Sequence, residues 1–102
     1  MLVTEADLVA AITRDRAAGK RITLATLSFD LLRVGEVRLL QSAAAQADRL
    51  VVAVVDDDGR SVMKAIDRAE LVDNVRGVDY VIVCAADRVE PLAALLMPDV
   101  RA

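Results

Sequence analysis

The chain has 102 residues, 56% of them apolar, with 16 acidic and 13 basic side chains, a net charge of -3 and no histidine. That length holds one domain, 1–102, with a single core, and its uncharged runs fall short of the roughly 18 residues needed to cross a bilayer. Mixed charges with only one Tyr and one Phe argue against a nucleic-acid partner. The missing histidine removes the commonest general base and the commonest zinc ligand.

Met1–Asp7 shows no basic region followed by an apolar stretch, so no leader peptide is expected. A soluble cytoplasmic protein with no membrane partner is the expectation. Thr4, with Asp7 three residues on, reads as a helix start, and the pattern runs through Leu8 and Ile12 to Gly19. Ile22–Leu27 is a β-prone run of strand length. Leu40, Ala43, Ala44 and Ala47 recur at helical spacing after Gly35.

Leu50–Val55 is continuously apolar, as in a strand covered on both faces of a parallel sheet, and stops at Asp56-Asp57-Asp58-Gly59. Val62, Ala65, Ile66, Ala69, Val72 and Arg76 form a helical stripe that Gly77 ends. Val78–Cys84 is the third strand. A last helix starts near Asp87, carries Pro91 in its first turn, turns Leu92, Leu95 and Leu96 inward, and ends before Pro98. Cys84, the one cysteine, reads as a buried inert thiol. The alternation predicts a Rossmann-like α/β domain, a three-layer αβα sandwich with a short three-stranded parallel sheet in the order 3-2-1.

In such sheets ligands bind beyond the carboxyl ends of the strands, which directs attention to the segment after the first strand. It reads Leu27-Ser28-Phe29-Asp30-Leu31-Leu32-Arg33-Val34-Gly35-Glu36-Val37-Arg38-Leu39-Leu40. This resembles the N-G-x-F-D-x-x-H-x-G-H-x-x-x-L loop of the cytidylyltransferase-like nucleotidyltransferases, the group of glycerol-phosphate cytidylyltransferase and the heptose-phosphate adenylyltransferase domain. The likeness continues through Gly19-Lys20-Arg21-Ile22, Ala47–Val54, Gly77–Val83 and Pro98-Asp99-Val100.

The resemblance implies a nucleotide held at the start of the following helix, with Ser28, Phe29, Asp30, Arg33, Gly35 and Glu36 as the nucleotide-binding candidates. It implies transfer of a CMP or AMP group from CTP or ATP to a sugar- or polyol-phosphate, with Mg2+ only as companion of the nucleotide. No separate metal site is expected: consecutive Asp56, Asp57 and Asp58 diverge as ligands, and a polar turn is the better reading. The sequence departs from the pattern where chemistry matters. Arg33 and Glu36 occupy the two histidine positions, Thr26 and Leu27 replace Asn-Gly, and the Asp58–Asp67 region is short, with Lys64 as a remnant lysine or a solvated charge. The family's next strand and its phosphate-gripping helix start lie beyond Pro98-Asp99-Val100.

Asp30 is equally a ligand contact and a cap or turn former. Arg33 binds an anion or pairs with Glu36 or Asp30, and Glu36 reads as a first-turn acid favoured by the helix dipole rather than as a general base. The expected function is therefore a degenerate, non-catalytic module that dimerises or binds a protein partner through the exposed edge of strand one, with at most weak nucleotide binding. The alternative is a residual nucleotidyltransferase.

Overall fold

The computed structural model describes residues 1–28, 34–56 and 63–102. The elements in order are α1 (Glu5–Ala17), β1 (Ile22–Leu27), α2 (Val34–Ala44), β2 (Arg49–Asp56), α3 (Ala65–Asp73), β3 (Tyr80–Ala85), α4 (Val89–Leu96) and β4 (Val100–Arg101), with a 3-10 turn at Ala86–Arg88 before α4. The strands form one parallel sheet ordered β3-β2-β1-β4.

Local chemistry sets the ends of α1. Thr4 caps it, its Oγ1 accepting from Asp7 N at 3.2 Å, with acids in the first turn and Arg14 and Arg16 in the last, as the helix dipole favours. At the other end Gly19 sits at φ +80°, where Gly19 N donates to Arg16 O and Lys20 N to Asp15 O. That paired arrangement satisfies the last carbonyls and needs a left-handed residue.

Successive strand residues face opposite ways, so β2 divides its apolar run between two cores. Leu50, Val52 and Val54 pack with Ala25, Leu27 and Val81 under α2 and α3, through Leu40, Ala43, Ala65, Ala69 and Val72. Val51 and Ala53 pack with Ile22, Leu24 and Ile82 under α1 and α4, through Leu8, Ile12, Leu92, Ala93 and Leu96. The expected αβα sandwich is present, and the small alanines bring the helices close to the sheet.

A repeated device fixes the register at the amino end of the sheet. Asp48, Asp79 and Asp99 each lie at or just before the start of a strand. Asp48 N donates to Arg21 O and its Oδ2 accepts from Arg21 N at 2.9 Å. Asp79 does the same with Leu50, its Oδ2 accepting at 2.8 Å, and Asp99 with Ile22, also at 2.8 Å. Each aspartate thus grips both main-chain groups of one residue on the neighbouring strand.

Several expectations need correction. The sheet has a fourth strand: β4 pairs with β1 at Thr23↔Val100 and Leu24↔Arg101, and Ala102 N donates to Leu24 O. Strand one is therefore no open edge over its first half. A two-residue strand after a proline is too short to show an alternating pattern, so only pairing reveals it. Glu90 and Arg101, joined by two 3.0 Å contacts, fasten β4 to α4. At the other edge residues 1–3 run along β3, with Val81 N donating to Met1 O and Val3 N to Val81 O, both at 2.9 Å.

Ile66 and Leu95, expected inward, are 46% and 57% exposed. The buried stripes are Ala65, Arg68, Ala69, Val72 on α3 and Val89, Leu92, Ala93, Leu96 on α4, and each misplaced residue sits beside its stripe. Arg76 is exposed beyond the helix end at Asp73, and Val62 lies outside the described residues. Cys84 is half-buried, not buried.

Three outcomes are expected of stability measurements. Gly77 sits at φ +96° and a Cβ there would lie 2.9 Å from Ala44 Cβ, whereas at Gly19 a Cβ meets nothing within 4 Å. Gly77→Ala will therefore cost more than Gly19→Ala, with ~1–3 kcal/mol for the backbone strain the two share, read by denaturant unfolding. Thr23 is fully buried and its Oγ1 has no hydrogen-bond partner among the described residues, so Thr23→Val will leave stability unchanged or raise it by about 1 kcal/mol. The Ile22 N–H hydrogen bond, with the nearby Arg16, holds the Asp99 carboxyl below its ordinary range. A depressed carboxyl contributes stability above its unfolded pKa and loses it as pH falls through the folded value. Asp99→Asn will accordingly flatten the acid limb of the melting-temperature profile relative to the parent.

Candidate functional site

The register pairs Leu27 with Val54 and Asp56 with Ala85, which brings the carboxyl ends of β1, β2 and β3 to one end of the sheet. Ser28 leaves β1 there and is exposed. The β1-α2-β2 crossover returns the chain antiparallel to the strands, so the first turn of α2 opens at the same end. Topology therefore gathers Ser28, Gly35 and Glu36. Phe29, Asp30 and Arg33 lie outside the described residues, as do Asp57 and Asp58.

Gly35 is the second residue of α2 and is exposed, and a Cβ built on it meets no atom of the described residues within 4 Å. A helical glycine costs about 1 kcal/mol against alanine, and none of the described neighbours requires one here. What the glycine provides is clearance above the first turn. Glu36, next to it, is half-buried and is the acid of that turn, where the helix dipole favours a negative charge by about 0.3–1 kcal/mol. Val34, on the same turn, is an apolar side chain 63% exposed.

Arg68 is a residue that the sequence reading passed over. It is 1% exposed, and its guanidinium donates to Val55 O at 3.0 Å and Met63 O at 3.3 Å. It ties the carboxyl end of β2 to the entry of α3, at the end of the sheet where a ligand would sit. The signal was present: Arg68 occupies the inward position three after Ala65 and four before Val72. Lys64 precedes α3 with no capping side-chain bond and is exposed, the solvated-charge alternative.

Burial, with the Glu5 carboxylate adding and Arg88 opposing, pushes the Cys84 thiol up. It is thus held as thiol rather than as nucleophilic thiolate. A second polar cluster lies at the opposite, amino end of the sheet. Tyr80 OH donates to Asp15 Oδ2 at 2.6 Å, and Arg49 Nε stands 3.5 Å from the same oxygen. Burial and the Asp15 carboxylate raise the Tyr80 hydroxyl, which suits a structural bond between α1 and β3. Among the described residues no three His, Cys, Asp or Glu side chains converge, and no helix is long and apolar enough to cross a membrane.

No protein-family model matches the chain. It is 37% identical over 106 aligned positions to the bifunctional protein HldE of Shewanella piezotolerans, an alignment covering 96% of this chain and 22% of that protein. To the HldE of Alkalilimnicola ehrlichii it is 33% identical, over 97% of this chain and 22% of the relative. To that of Desulfatibacillum aliphaticivorans it is 32% identical, over 92% and 21%. The chain thus spans about a fifth of the length of the curated relatives it matches.

Among solved structures it resembles a lipopolysaccharide core biosynthesis protein from Thermoplasma volcanium, with a TM-score of 0.72, 25% identity, and coverage of 81% of this chain and 73% of the other. By sequence the chain is similar to about a fifth of the HldE proteins, and its fold is the Rossmann-like, nucleotidyltransferase-like one that it shares with the lipopolysaccharide core biosynthesis protein.

Proposed function

We propose that this chain is a non-catalytic module of the nucleotidyltransferase fold that works by self-association, with at most weak nucleotide binding. Glu36 carries the reading. In the family pattern its position belongs to a histidine that assists the charge developing on a polyphosphate. Here a half-buried carboxylate stands in the first turn of α2. The helix end that would favour an anion already has one of its own, and a second negative group 4 Å away is repelled by about 1 kcal/mol even in water-like surroundings. Without histidine anywhere in the chain, no side chain replaces that assistance with a group titrating near neutrality. The location proposed for the chain is the cytoplasm, and Mg2+ enters only with a nucleotide.

Gly35 favours the second reading, a residual transferase moving a CMP or AMP group from CTP or ATP onto a sugar- or polyol-phosphate. A glycine with open space above it at a helix start is what close approach of a phosphate requires, and Arg33 would supply a fixed positive charge.

Calorimetric titration with CTP and ATP in the presence of Mg2+ separates the two. The module reading expects no binding tighter than about 100 μM, near -5.5 kcal/mol. Glu36→Gln removes the repulsion and will tighten ATP binding by about fivefold, the equivalent of ~1 kcal/mol. Micromolar binding by the parent chain, weakened by Glu36→Gln, would overturn the module reading.

A further inference from the structure

We draw no further inference here: the strongest candidate, the apolar-floored cleft beside β3 between the entries of α1 and α3, lined by Leu2, Val3, Ile66, Ile82, Cys84 and Arg88 among others, carries nothing because nothing among the described residues shows what covers it.

Discussion

The sheet is held in register by three carboxylates at its amino end. In a parallel sheet each strand arrives from a helix on one face or the other, and nothing in the apolar pattern alone stops a strand from sliding by two residues along its neighbour. Asp48, Asp79 and Asp99 remove that freedom, since each grips the N–H and the C=O of one residue and only one alignment satisfies both. A slip would leave carboxylates and strand N–H groups without partners, at partly buried positions for Asp79 and Asp99, a penalty of about 1–3 kcal/mol for each unmade buried bond.

The division of labour between the two ends of the sheet follows. The amino end is occupied by the aspartate grips, the Tyr80–Asp15–Arg49 cluster and the Arg16 side chain, which donates to Leu96 O and Met97 O. Its polar groups spend their hydrogen bonds on the protein itself. At the carboxyl end Ser28, Gly35 and Glu36 are accessible or half so, and Arg68 stiffens the way from β2 into α3. Fold and site thus draw on separate residues, which is how Arg33 and Glu36 can depart from the family pattern while the strands keep their order.

How far the sequence foretold this depends on the kind of signal. Helices and long strands were legible because burial leaves a period, and α1, α3 and α4 all bury the same spacing: residues 8, 11, 12 and 15; 65, 68, 69 and 72; 89, 92, 93 and 96. Two of those positions hold Asp15 and Arg68, and a reading that looks for apolar side chains skips them, although their spacing announces burial. Val100–Arg101 was illegible for the opposite reason, since two residues have no period. The site was legible in its loop, where the resemblance lies in residue types at fixed distances. The meaning of Gly35 emerged only from the clearance that the described residues leave around it.

Arg16 has a consequence for how the molecule comes together. Its guanidinium joins the last turn of α1 to Leu96, Met97 and Asp99, 80 to 83 residues further along. As the chain leaves the ribosome, β1, β2 and β3 can pair in order while α1 still lacks the neighbour that completes its face. Closing so long a loop is slow compared with local structure. The α1–α4 layer is therefore expected to form last, after synthesis has passed Asp99. Until then the Ile22, Leu24, Val51, Ala53 and Ile82 face of the sheet is the stretch most in need of protection from other nascent chains.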